Sequence, residues 1–188
     1  MTNNKGKNMK KVLVELNERE LKVLKRVLNE NEVIEVEYID RDNYKDYIGK
    51  TVKVLGNGNV DLSELGLTKI PINFTEVGGY FYCAYNELTS LEGCPKEVGG
   101  DFYCYENKLT TLKGAPRKVG RDFHCWNNQL SSLEGSPEKV GNNFDCSWNK
   151  LTTLKGAPKE VGRNFYCHDN PLESIKGKPE YIGGEFEY

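Results

Sequence analysis

The stretch VGGYFYCAYNELTSLEGCPKE, Val77 to Glu97, is repeated down the chain. It returns as VGGDFYCYENKLTTLKGAPRK from Val98, VGRDFHCWNNQLSSLEGSPEK from Val119 and VGNNFDCSWNKLTTLKGAPKE from Val140. A fifth copy, VGRNFYCHDNPLESIKGKPEY, begins at Val161, and IGGEFEY opens a sixth. The period is 21 residues, with no insertion or deletion. A fixed period in the twenties is the signature of a solenoid, each copy forming one coil stacked on its neighbours.

Within a copy the constant positions are Val77, Phe81, Cys83, Asn86, Leu88, Leu91, Gly93 and Pro95. Phe81 and Cys83 stand two apart, so on a strand both point inward, and Tyr80, Tyr82 and Ala84 point outward. Leu88 and Leu91 carry the chain through the core, and Gly93 with Pro95 breaks it before the next valine. Asn86 sits where the strand ends. An amide there can hydrogen-bond the turn backbone, so Asn107, Asn128, Asn149 and Asn170 should continue a ladder that braces coil on coil.

Upstream, residues 56–76 read as a worn copy. Val60 falls in the phase of Phe81, Leu62 in that of Cys83, and Leu67 and Ile70 match Leu88 and Leu91, while Leu65 replaces the asparagine. Before that, residues 1–55 read as a small α+β capping module. Val12, Val14 and Leu16 alternate as a strand, and Asn17-Glu18-Arg19-Glu20 opens a helix carrying Leu21, Leu24, Val27 and Leu28 on one face. Ile34, Val36 and Tyr38 alternate as a second strand, DRDNYKDYIG is a loop or short helical turn, and Thr51 to Leu55 is a third strand. The Asn57-Gly58 pair predicts a tight hairpin turn. Such a module would cover the open end of the first coil.

Composition narrows the function. The net charge is -2 and no basic stripe or polybasic run is present, which argues against general nucleic-acid or membrane binding. The basic start, MTNNKGKNMKK, is followed by no apolar run of signal-peptide or membrane-span length, so the expected compartment is the cytosol. The 37% hydrophobic content suits a solenoid, which buries one narrow strip per coil. Five of the six cysteines, Cys83, Cys104, Cys125, Cys146 and Cys167, share one phase and read as a ladder of reduced, buried thiols. Cys94 stands at a phase that elsewhere holds Ala115, Ser136, Ala157 and Lys178.

FYCAYNELTSL, FYCYENKLTTL and FDCSWNKLTTL resemble the leucine-rich repeat core, apolar-x-apolar-x-x-Asn-x-Leu-x-x-Leu. The short period and the proline after the second leucine are most similar to the compact class found in secreted bacterial effectors, and the cysteine-bearing form resembles leucine-rich proteins of bacteria and their phages. Cysteine at a leucine position and the glycine pair after the valine depart from the family pattern. The resemblance covers residues 56–188. It implies a parallel-strand concave face, extended or helical-turn segments on the convex side, and recognition rather than catalysis. The resulting fold class is an α+β N-terminal cap (1–55) followed by a leucine-rich-repeat-like parallel-β solenoid of about six coils. These are a degenerate first coil at 56–76, five repeats at 77–181 and a partial last coil at 182–188.

One further phase, Glu92, Lys113, Glu134, Lys155 and Lys176, sets opposite charges side by side through Lys155, which would favour the correct stacking register. Glu185 and Glu187 flank Phe186 on what should be an open-edged last strand, where charge discourages edge-to-edge aggregation.

The copies differ most in three outward rows. The first is Tyr82, Tyr103, His124, Asp145, Tyr166 and Glu187, the second Ala84, Tyr105, Trp126, Ser147 and His168, the third Tyr85, Glu106, Asn127, Trp148 and Asp169. Both tryptophans and both histidines lie in them. Tyr and Trp gathered on a rigid sheet suit a binding surface. The binding residues expected are Tyr82, Tyr103, Tyr105, His124, Trp126, Asp145, Trp148, Tyr166 and His168. A protein partner fits this face first. A small ligand such as a nucleotide or sugar stacked on Trp126, Tyr105, Tyr103 and Tyr166 is the alternative, and a structural, self-assembling role is the third. The bacterial and phage flavour of the resemblance implies a cytosolic protein that inhibits a host factor. His124, Asp145, Ser147 and His168 would permit a nucleophile and base to be drawn, but an open sheet lacks an oxyanion site and lid. No metal-ligand spacing is present, no cofactor is expected, and GNGN and VGG lack phosphate-loop spacing and read as turns.

Overall fold

A computed structural model describes residues 32–188, and residues 34–188 form one compact unit. Strand β1 (Val33–Val36) is followed by a single 3-10 turn at Tyr44–Tyr47, β2 (Thr51–Val54), β3 (Val60–Asp61), β4 (Asn73–Val77) and β5 (Phe81–Tyr82). Strand pairs then recur with the sequence period: Glu97–Val98 with Phe102–Tyr103, Lys118–Val119 with Phe123–His124, Lys139–Val140 with Phe144–Asp145. Glu160–Val161 with Phe165–Tyr166 and Tyr181–Ile182 with Phe186–Glu187 complete the series.

The strands build two sheets whose consecutive repeat strands run parallel. The valine strands, with β1 and β2, make an eight-stranded sheet, and the phenylalanine strands make a seven-stranded one. Register follows the repeat, Val98 opposite Val119 and Phe102 opposite Phe123. The fold is therefore a parallel β-solenoid of seven turns rather than about six. The worn copy and the last stretch each supply a full strand, because a ladder needs backbone and not the side-chain signature.

The valine sheet was legible only at β1 and β2, which fall where alternation predicts strands. In the central coils its strands are two residues long, one buried valine beside an exposed Lys or Glu, too short to show a period of two. This sheet replaces the extended or helical-turn convex segments that the resemblance implies. The hairpin expected at Asn57-Gly58 is also absent. β2 pairs parallel with β4, and Gly56–Asn59 instead carries the chain from one sheet to the other. That corner recurs at the first glycine after each valine. A Cβ on Gly99 would overlap the carbonyl oxygen of Gly78 one coil back, so the coils touch backbone to backbone there. The strand and helix expected before residue 32 lie outside the described residues. Among the described residues no helix is long and apolar enough to cross a membrane.

Five apolar columns fill the interior: the valines, phenylalanines, cysteines and two leucines per coil. The phenylalanine rings stack from Phe81 to Phe165, centroids 5.2–5.6 Å apart and planes within 18° of parallel. The thiols are free and buried, Cys94 included. Each buried Val, Leu or Phe is worth about 1.5–3 kcal/mol, against tenths for an exposed ion pair. Burial therefore sets the stacking, and the charge row only trims it. In that row Lys155 and Glu134 meet at 2.7 Å, the one pair of the row within 4 Å among the described residues.

The asparagine ladder forms as the spacing predicts. Asn107 donates from Nδ2 to the carbonyls of Cys83 (3.0 Å) and Cys104 (3.1 Å), while its Oδ1 accepts the Leu88 N–H at 2.9 Å. Asn128 and Asn149 repeat the pattern one and two coils on. Each amide thus satisfies its own strand end and clamps the preceding coil.

Candidate binding face

The second residue of each phenylalanine strand supplies the first row, and the sheet register places Tyr82 beside Tyr103, Tyr103 beside His124, His124 beside Asp145 and Asp145 beside Tyr166. Two residues on lies the second row. The third follows at once, and there the backbone enters the left-handed region: φ is 54° at Tyr85, 51° at Glu106, 49° at Asn127, 56° at Trp148 and 53° at Asp169. This bend swings the third row clear of the sheet and lets the next asparagine turn inward.

The first two rows are less open than their sequence implies. Tyr82, Tyr103, Tyr105, His124, Trp126, Asp145, Tyr166 and His168 are all half-buried, largely against each other. Tyr105 is the hub. Its ring lies against Trp126 with centroids 4.3 Å apart and planes 10° from parallel, meets Tyr85 edge-on at 5.2 Å, and its hydroxyl is 2.7 Å from that of Tyr82. Tyr103 packs edge-on between Tyr82 (5.6 Å) and His124 (5.2 Å). Burial, then the carboxylates of Asp101 and Asp122, push the Tyr103 phenol up to about 12. Burial and the Tyr82 hydroxyl raise Tyr105 as well. Ala84, expected to point outward, is fully buried. The large, open aromatics are Trp148 at 57% exposure and Tyr85 at 45%, both in the third row.

Beyond Trp126 the face turns polar. Asp145 accepts the Ser147 N–H at 2.9 Å, the Tyr166 hydroxyl bonds the Asn164 amide at 2.6 Å, and His168 Nδ1 meets Asp169 Oδ2 at 2.6 Å. On two residues that neighbour Asp145, His124 Nε2 and Ser147 Oγ are buried and have no hydrogen-bond partner. The serine and histidine side chains that a nucleophile would need in contact are therefore not bonded to each other.

Two features escaped the sequence reading. A second ladder of short polar side chains edges the face: Asp101 accepts the Asp122 N–H (3.0 Å), Asp122 that of Asn143 (2.9 Å), Asn143 that of Asn164 (3.1 Å) and Asn164 that of Glu185 (2.9 Å). The shared phase of Asn59, Asp101, Asp122, Asn143 and Asn164 was the available signal, masked by Tyr80. The other is the positive φ at the phase of Tyr85, which opens the third row and for which Asn127 and Asp169 were the available signal. A groove of about 570 Å³ runs along the glycine corner past Lys53, Glu76, Glu97 and Lys118. Its walls are glycines, aliphatic side chains and paired or exposed charge, with no aromatic side chain, which makes it a poorer ligand site than the rows.

Comparison of the chain with family models, with curated proteins and with solved structures finds no match.

Proposed function

We propose that this is a non-enzymatic binding protein that holds a protein partner on its strand face. The observation that carries the reading is the division of roles inside the coil. Positions that make the scaffold are the same in nearly every copy and buried. The three rows that face outward change from copy to copy and collect both tryptophans, both histidines and the tyrosines at 82, 85, 103, 105 and 166. Strand propensity accounts for tyrosine but gives no reason for an open Trp148.

Seven strands about 4.8 Å apart and three residues across give a face of roughly 300–400 Å², below the roughly 800 Å² per partner of a standard complex. A protein partner therefore also touches the flanks, where the short polar ladder and the Leu-x-x-Leu turns lie. A stacked planar ligand is the second reading. It draws on Trp126, which has an aromatic neighbour on its Tyr105 side and the small Ser147 next in its row.

The test is capture from bacterial lysate by the full chain, followed by mass spectrometry of proteins and released small molecules, with Tyr85→Asn/Trp148→Asn as the control. These two open side chains can be removed without emptying the core. The double variant should lose the captured partner and keep its melting temperature. Capture that survives the double substitution would move the site off this face.

A further inference from the structure

The strand face carries a charge pattern that the chain as a whole does not. The sequence has 26 Lys and Arg against 28 Asp and Glu, close to balance. Extended back through the first coil, the three outward rows contain no Lys or Arg at all. They do contain carboxylates at Asp61, Glu64, Glu106, Asp145, Asp169 and Glu187. Arg41 reaches over the first coil to Asp61 (3.8 Å) and Glu64 (3.6 Å). Among the described residues, the other four have no Lys or Arg nitrogen within 4 Å. The nearest basic side chains in sequence border the rows: Lys108 and Arg121 are held by Glu87 (3.2 Å) and Asp101 (3.5 Å), and Lys150, nearest to Asp145 in sequence, donates to the Gln129 amide oxygen (3.4 Å).

A run of acids alone would be a solvated surface. Here a second observation sits at its centre. Asp145 lies between His124 and Tyr166 in register and accepts the Ser147 N–H, and one polar atom on each of two neighbouring residues, His124 Nε2 and Ser147 Oγ, is buried without a partner, Ser147 at 1% exposure. Unpaired buried polar atoms are costly, so two on residues around one carboxylate mark a place where hydrogen-bonding groups are missing. Trp126 stands one coil back and two residues on from the position opposite Asp145, a backbone diagonal of roughly 8 Å. A carboxylate, an unpaired hydroxyl, an imidazole nitrogen and an aromatic face are together the complement of a planar cation with several N–H donors.

We infer that the strand face binds a cationic segment of its partner, with an arginine side chain seated at Asp145 and lying against Trp126. This rests on the strand-face reading above and names the partner's chemistry. The guanidinium donates to the half-buried Asp145 carboxylate, reaches Ser147 Oγ or His124 Nε2 only where their covering side chains part, and lays its flat face on the indole. Glu106, Asp169 and Glu187 supply the surrounding field that draws a basic segment in and rejects an acidic one.

The probe is a fluorescently labelled hexa-arginine peptide, read by anisotropy against the full chain at about 100 mM salt, with hexa-citrulline as the neutral isostere. Hexa-arginine should bind at least about tenfold more tightly than hexa-citrulline, and Asp145→Asn should weaken it about tenfold. Asn retains the oxygen that accepts the Ser147 N–H, so the fold is kept. Glu160→Gln removes the same charge from the other sheet and should change affinity less than about twofold. Equal losses from Asp145→Asn and Glu160→Gln, equal binding of the two peptides, or no binding of hexa-arginine would overturn the inference. The two readings fail separately. A captured partner that is lost on Tyr85→Asn/Trp148→Asn but held fully by Asp145→Asn leaves the strand face standing and removes the arginine.

Discussion

Tyr105 and Trp126 lie face to face one coil apart, ring centroids 4.3 Å apart and planes 10° from parallel. The pair is therefore part of the stack as well as part of the surface. Trp126→Ala should cost on the order of 2 kcal/mol, from lost ring contact and half-buried area. Urea denaturation will measure it. A loss below about 0.5 kcal/mol would mean that the stack adds nothing to stability.

Trp148 behaves differently because its φ of 56° is costly for a bulky residue and its side chain is mostly in solvent. Asn127 occupies the same phase with a side chain that tolerates this region. Trp148→Asn should hold or raise stability, by up to about 1 kcal/mol, while weakening partner capture. A melting temperature that falls would show that the indole packs usefully in the free protein.

Removing one rung of the amide ladder tests the clamp. Asn128→Ala leaves the Leu109 N–H without its partner and takes one of two amide donors from each of the Cys104 and Cys125 carbonyls, which keep Asn107 and Asn149. The expected loss is about 1–3 kcal/mol. Amide exchange should quicken most at Leu109.

The cysteine column gives a graded prediction. Cys146 Sγ already lies 3.3 Å from the Tyr166 carbonyl, which a serine hydroxyl could use, whereas for Cys125 burial is the main environment. Cys125→Ser should therefore destabilise by about 1–3 kcal/mol and Cys146→Ser by less. Burial pushes the Cys94, Cys104, Cys125 and Cys146 thiols up, so they should react slowly with a disulfide reagent until the chain is unfolded. All six should then titrate without reductant; a shortfall would overturn the reduced ladder.

Alkaline pH probes the aromatic rows. Tyr103 ionises at about 12 in the fold, against about 10 in an unfolded chain. Folding favours the neutral phenol, so its contribution is complete below about pH 10 and is lost as pH climbs toward 12. The urea midpoint should drop over that window, and Tyr103→Phe should flatten the drop.

The coil itself was readable because Phe81, Cys83, Asn86, Leu88 and Leu91 return in phase, and repetition substitutes for periodicity within any one strand. The valine strands of the repeats were not, since two-residue strands carry no alternation, and neither was the parallel path through Gly56–Asn59, because Asn-Gly suits a hairpin and a sheet-to-sheet corner alike. At the site, phase alone gathered Tyr82, Tyr103, His124 and Asp145 into one row. Their depth was not readable, because it depends on how rings in neighbouring coils fold onto each other. Ala84 shows the limit: an outward phase, yet fully buried in a neighbourhood of tyrosines.

Because every amide clamp joins constant positions of adjoining copies, the scaffold contacts do not register which copy lies beneath. Two copies can trade places, or one can be duplicated between its neighbours, and the amide, phenylalanine and glycine contacts re-form unchanged. What such an exchange rewrites is the order of side chains along the face. Unequal recombination between the copies is thus a route to new specificities that leaves the fold intact, and the surface can diversify by shuffling whole lines as well as by changing single letters.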